Sequence, residues 1–170
     1  MLRPALPSDA HALATVHVAS WQRAYRGLLP DDYLDGLEVG GWRARWERSL
    51  AAADWPRRGT LVAETERGLA QGFVDVVPSR DDDAEPATAE VTSLYVLPDR
   101  WRAGVGTALM TAAVDALPTP GYRAVTLWVL SGNARARRFY ERTGWAVDGA
   151  EKTAVVAGVP VTEARYRRPL

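Results

Sequence analysis

Apolar and polar positions along the chain follow two periods, one close to two residues and one close to 3.6. Leu2 to Ala5 reads as a short strand. Ser8 or Asp9 can cap a helix in which Leu13, His17, Trp21 and Tyr25 recur at i, i+4, with Ala10, Ala14 and Val18 beside them. Gly27 suits its C-terminal stop. Pro30 opens a second helix, with Asp31 and Asp32 in the first turn, where the helix dipole favours acids, and with Tyr33, Leu34 and Leu37 as its apolar side. Gly40-Gly41 breaks it, and Trp42, Trp46 and Leu50 form the next stripe. Thr60 to Thr65 and Gln71 to Val77 are strands joined around Glu66-Arg67-Gly68, and Val91 to Val96 is a third, stopped by Pro98. Gly104-Val105-Gly106 opens a helix with apolar positions Val105, Leu109, Ala113, Val114 and Leu117. Pro118-Thr119-Pro120-Gly121 closes it. The near-continuous apolar run from Tyr122 to Leu130 predicts a strand buried on both faces. Ser131-Gly132-Asn133 caps a helix with Ala136, Phe139 and Tyr140 on one side. Two last strands, about Ala146 to Val156 and Pro160 to Tyr166, turn at Gly158. The order β, α, α, α, β, β, β, α, β, α, β, β argues for an α/β (α+β) layered domain with a central mixed sheet.

Composition narrows this only a little. The 170 residues suit a single domain, 1–170, with a sizeable core, and no repeat or linker divides them. Lys+Arg and Asp+Glu are 21 each, a balance that argues against a nucleic-acid or anionic-membrane binder. The basic face Arg43, Arg45 and Arg48 reads as solvated. No apolar run approaches a membrane span, and Met1-Leu2-Arg3-Pro4 is not a signal peptide. With no Cys there is no disulfide, thiolate site or cysteine nucleophile, which fits a cytoplasmic protein. Asp81, Asp82, Asp83 and Glu85 lack the alternation and glycine bend of a calcium loop, so they read as a solvated hairpin loop; no metal is expected.

The candidate chemistry begins where the Val91–Val96 strand meets the following helix. A strand, a glycine turn and a helix start aim free N–H groups at an anion, and Arg100 and Arg102 add charge there. A P-loop needs Lys and then Ser or Thr after its second glycine, but Thr107-Ala108 follows Gly106. A dinucleotide loop needs Gly or Ala where Leu109 stands. Trp101-Arg102-Ala103-Gly104-Val105-Gly106 instead resembles the coenzyme A loop of the GNAT superfamily of N-acetyltransferases, Gln/Arg-x-x-Gly-x-Gly/Ala, with Trp101 at the leading position. Taken alone, the loop could equally be a plain helix start. A second stretch extends the resemblance. Leu127 to Trp145 carries Asn133, Ala134, a helix ending Phe139-Tyr140, and Gly144-Trp145 where the family has Gly-Phe. Tyr25-Arg26-Gly27-Leu28-Leu29-Pro30 is also similar to an N-terminal pattern of the family.

The resemblance implies a GNAT-like fold, with a mostly antiparallel sheet flanked by helices and two splayed parallel strands holding acetyl-CoA as acetyl donor. It places Leu94, Tyr95 and Val96 against pantetheine and the N–H groups of Arg102, Ala103, Gly104, Val105, Gly106 and Thr107 on the pyrophosphate. Asn133 contacts the cofactor in the same scheme, in addition to capping its helix. Acetyl transfer needs a neutral amine, a donor for the carbonyl oxygen as it gains charge, and a proton for the leaving thiolate. A strand N–H near Tyr95 or Val96 suits the second need. Tyr140 matches the family tyrosine that serves the third, where a core aromatic is the plain alternative. Trp128 stands where some members place a basic Glu, so Glu90, early in the preceding strand, is the candidate base. A solvated edge carboxylate, or a water chain in place of any side-chain base, stays open. The acceptor, a small-molecule or peptide amine, would meet Trp21, Tyr25, Arg26 and Leu28 on one wall and Trp128 on another. The rival readings are an acyl-CoA-binding module that transfers nothing and a nucleotide-binding protein. A homodimer is left open.

Overall fold

The computed structural model describes residues 1–170. Seven strands form one sheet in the order β1-β2-β3-β4-β5-β7-β6. They are β1 (Leu2–Pro4), β2 (Gly59–Glu64), β3 (Ala70–Pro78), β4 (Thr88–Val96), β5 (Ala124–Leu130), β6 (Ala146–Val156) and β7 (Val159–Pro169). All neighbouring pairs are antiparallel except β4 and β5, which are parallel. The helices are α1 (Ala10–Ala24), α2 (Asp31–Asp35), α3 (Val39–Ala51), α4 (Val105–Ala116) and α5 (Ala134–Arg142). The element order is the one the patterning predicts, and the sheet is mixed and flanked by helices on both sides.

Strand alternation sends side chains to opposite faces, so two cores form. On one face α4 and α5 pack through Leu109, Met110, Ala113, Val114 and Tyr140 onto Val74, Val76, Ala89, Val91, Val125, Leu127 and Val129. On the other face α1 and α3 bury Leu13, Ala14, Val16, Trp46 and Leu50 against Val62 and Phe73. That second layer covers the β2–β3 side. No helix is long and apolar enough to cross a membrane.

Several boundaries differ from the sequence reading. Gly40 and Gly41 do not break a helix; they sit in the first turn of α3, and the interruption falls between Asp35 and Val39. First-turn N–H groups have no intrahelical acceptor anyway, so glycine costs least there, and the buried Trp46 and Leu50 hold the helix down. Strand β4 begins at Thr88, three residues before the expected start, because Thr88 to Val91 pair with β5 as well as lying next to β3. Tyr122 and Arg123 fall outside β5. The loop between β3 and β4 is more than solvated. Asp81 and Asp83 accept from Arg165, and Glu85 accepts from Arg167, so its acids fasten it to β7.

Candidate active site

The parallel pair comes apart partway along. Strand β4 pairs with β5 only from Thr88↔Ala124 to Val91↔Leu127, and beyond that point the strands diverge. The cause is visible on the other side of β4. Its register against β3 slips between Asp75↔Ser93 and Val76↔Val91, leaving Thr92 as the extra residue of a bulge. Three side chains fix that bulge. The buried Asp75 on β3 accepts from Thr60 Oγ1 on β2 at 2.7 Å and from Thr92 Oγ1 at 2.6 Å. Burial raises the Asp75 carboxyl above its ordinary range, against the pull of its two hydroxyl donors. A lone carboxylate inside Phe73-Val74-Asp75-Val76-Val77 was the sequence signal for this clamp.

Backbone direction follows from the ladder. Leu97 N–H donates to Gln71 O at 2.8 Å, so by alternation Tyr95 and Leu97 turn their amides toward β3, and Leu94 and Val96 turn theirs toward the gap. Two expectations change as a result. The Tyr95 backbone belongs to the β3–β4 ladder, and its side chain packs against His17 and Trp21 of α1. The Val96 carbonyl is already occupied, accepting from Ser20 Oγ at 3.0 Å and from Trp101 Nε1 at 2.7 Å. What faces the gap from this strand is the backbone of Leu94 and the N–H of Val96. Gly72, opposite Val96, permits the close approach of β3. A Cβ there would lie 2.8 Å from Tyr95 O and 3.2 Å from Val96 Cα.

The glycine loop sits at the open end. Gly104 takes φ +82° with nothing within 4 Å of a Cβ position, so it is needed for its left-handed backbone and not for space. Gly106 is helical, and its Cβ position is in ordinary contact with Val96 and Phe139. Arg102 is itself left-handed at φ +66°. The first backbone bond into α4 runs from Ala108 N–H to Gly104 O, which leaves the N–H groups of Val105, Gly106 and Thr107 without an intrahelical acceptor. Asn133 Oδ1 accepts from Ala136 N–H at 3.1 Å and caps α5.

Tyr140 on α5 is buried, edge-on to Phe139 and Trp145, and its hydroxyl takes part in no protein hydrogen bond. Burial first, and then the neighbouring Tyr95, pushes its phenol well above the ordinary range. Tyr25, whose phenol is raised in the same way, is influenced by Tyr95 and Tyr140, so the three phenols gather near the parting strands. Trp21 meets the Tyr25 ring at 4.9 Å and the Tyr95 ring at 6.5 Å. Leu28 reaches over the loop after β5 and lies where a Cβ on Gly132 would meet it at 2.9 Å.

Other sequence candidates are placed differently. Arg26 is exposed and ion-paired to Asp31 and Asp35, tying the α1–α2 connection together. Trp128 lies on the face of β5 opposite the α4–α5 core and is engaged. Its indole N–H donates to Asp81 Oδ1 at 2.9 Å, and Lys152 Nζ stands 4.1 Å from its ring centre. Glu90 is buried, and Arg80 occupies its oxygens three times, through Nε at 3.1 Å, Nη2 at 2.5 Å and the backbone N–H at 3.2 Å. Sequence reading missed Asp75, Gly72 and Arg135, whose guanidinium stacks 3.2 Å above the Trp101 ring.

Comparison with known proteins agrees with this geometry. Residues 21–145 match the acetyltransferase (GNAT) family. An uncharacterized N-acetyltransferase, YuaI of Bacillus subtilis, is 32% identical over 133 residues, covering 78% of this chain and 72% of its own. Among solved structures, the PaiA N-acetyltransferase of Thermoplasma acidophilum, in complex with coenzyme A, superposes with a TM-score of 0.76 at 18% identity over 100% of this chain and 98% of that one. YncA of Salmonella typhimurium, a putative acetyltransferase with its cofactor acetyl-CoA, gives a TM-score of 0.73 at 21% identity over 99% and 92%. With two signature stretches in order, the parted parallel strands and a family match across most of its length, this chain belongs to the GNAT family of acetyltransferases.

Proposed function

We propose that the chain moves an acetyl group from acetyl-CoA to the primary amine of a small molecule or peptide, by direct attack within a ternary complex. The observation that carries this reading is the gap between β4 and β5, with the Leu94 backbone and Val96 N–H turned into it and the unbonded Tyr140 hydroxyl nearby. The coenzyme A and acetyl-CoA complexes of the two structural neighbours support the same donor. The residues present fit such a ligand. A peptide-like arm finds unpaired strand groups, and a pyrophosphate finds the N–H groups of Gly104 to Thr107 around the left-handed Gly104, whereas the Ala103 N–H, expected there too, already donates to Arg100 O at 3.3 Å.

When bound, acetyl-CoA supplies a thioester carbonyl open to attack by an amine. In this reading Leu94 and Val96 hold the arm as an extra strand, and the Val96 N–H also faces the carbonyl oxygen as it gains charge. Asn133 holds the start of α5 at the cofactor. Tyr140 keeps its proton at neutral pH because burial disfavours the phenolate, and it donates that proton or a hydrogen bond to the leaving sulfur. Trp21, Tyr25 and Leu28 form the acceptor wall. Glu90 is the buried carboxylate at the base of the gap, but with its oxygens engaged by Arg80 it acts by position and charge and is poorly placed to take a proton. The acceptor therefore sheds its proton through water.

A panel of primary amines with acetyl-CoA, following thiol release, tests the reading. Turnover with at least one amine and intersecting initial-rate lines is expected. A protein whose melting temperature rises with coenzyme A, yet which releases no thiol across the panel, would instead be an acyl-CoA-binding module.

A further inference from the structure

The glycine loop is led by an uncharged residue, Trp101, and the charge nearby comes from another element. Arg135, in the first turn of α5, lays its guanidinium 3.2 Å above the Trp101 ring. Trp101 is fixed in turn by its indole N–H on Val96 O at 2.7 Å, so the stack is anchored to the strand that borders the gap. Arg102 of the loop and Arg23 of the last turn of α1 are the other cations that influence Arg135. None of the three has a carboxylate within ion-pair distance or a side-chain hydrogen bond.

The arrangement is unfavourable on its own. Like charges repel, partial loss of water around the guanidinium and then the neighbouring arginines lower the proton affinity of Arg135, and a cation in a helix's first turn opposes the helix dipole. An aromatic face makes up part of that cost and also aims the guanidinium, whose flat fork suits two oxygens of one phosphate. A phosphate placed between the glycine loop and Arg135 would neutralise the cluster.

The geometry points to Arg135, held on Trp101, as a phosphate-binding residue for the cosubstrate, supplying from α5 the side-chain cation that position 101 lacks. This rests on the acetyl-CoA reading above and adds a binding role for residues outside the loop.

Titration calorimetry on the whole chain tests it with two probes, coenzyme A and pantetheine, which lacks every phosphate. Arg135→Gln should weaken coenzyme A at least tenfold and leave pantetheine within about twofold, with a flatter dependence of coenzyme A affinity on salt. Arg135→Lys should fall between, keeping the charge and losing the fork. Trp101→Leu should weaken coenzyme A in the same direction, because the guanidinium loses its platform. Arg135 is exposed, so the variants are expected to fold, and their melting temperatures without ligand check this. Equal coenzyme A affinity in wild type and Arg135→Gln overturns the inference while leaving the site reading intact, as does an equal loss for both probes. A wild type that binds no coenzyme A overturns the site reading itself.

Discussion

Thr92 Oγ1 donates to Asp75 Oδ2 at 2.6 Å, at the position where the register of β4 against β3 slips. The extra residue of the bulge is thus bonded through its side chain to a buried carboxylate that also accepts from Thr60. Thr92→Val keeps the shape and the strand preference but removes the donor. A bond to a charged group is worth about 1.5–3 kcal/mol, and that loss is expected in urea unfolding. An unchanged midpoint would mean the clamp carries no stability.

Gly72→Ala places a Cβ 2.8 Å from the Tyr95 carbonyl, a backbone atom that cannot step aside. Overpacking of this kind costs about 1–3 kcal/mol. Because the displaced strand is the one bordering the gap, coenzyme A binding should weaken along with the thermal midpoint. Loss of stability with unaltered binding would separate the two strand faces.

Gly104→Asp puts a negative side chain on a left-handed position at the proposed pyrophosphate cradle. Coenzyme A affinity should fall at least tenfold, or about 1.4 kcal/mol, in a folded protein. Full affinity would reduce the loop to a helix start.

Tyr140→Phe keeps a buried ring that touches Phe139, Trp145 and Tyr166, so stability should change little. If the hydroxyl serves the leaving sulfur, turnover should fall by about 10²–10⁴-fold with coenzyme A affinity nearly normal. Wild-type turnover in this variant would remove Tyr140 from the chemistry.

His17 gives a pH prediction. Its ring is buried between Trp42, at 3.7 Å, and Tyr95, at 4.7 Å, neither ring nitrogen has a partner, and burial pulls its pKa down to about 3. An unfolded histidine takes up its proton near pH 6.5, and the folded one resists until about pH 3. Between those values the unfolded state binds more protons, so stability falls as pH falls, by up to about 1.4 kcal/mol per unit. Above pH 6.5 this contribution is constant. Melting curves from pH 7.5 to 4.5 should show the slope, and His17→Phe should flatten it whatever its own stability. An unchanged slope would assign the acid sensitivity to other groups.

The order of strands and helices was legible because it rests on local periodicity. The stripes Leu13–His17 and Trp46–Leu50, the apolar run through Leu127 and the breaks at Pro98 and Gly158 each act within a few residues. The glycine loop and the Asn133–Tyr140 helix were legible for the same reason, since a left-handed glycine and a helix cap are local requirements. Boundaries such as Thr88 were not, because a strand ends where its neighbours stop pairing.

What only the tertiary structure decided is which groups remain free. The sequence places Leu94, Tyr95 and Val96 together, but the ladder with β3 turns the Tyr95 amide away and Trp101 takes the Val96 carbonyl. It offers Glu90 as a base, and Arg80, ten residues earlier, engages its oxygens. It reads the acids from Asp81 to Glu85 as solvated, and Arg165 and Arg167, more than eighty residues later, bind three of them. By itself the sequence determined the elements and the backbone conformation of the glycine loop, since these depend on local geometry and periodicity over short spans. The availability of each polar group is set by partners distant in sequence, and those partners meet only once the sheet has closed its order and β4 has bent away from β5.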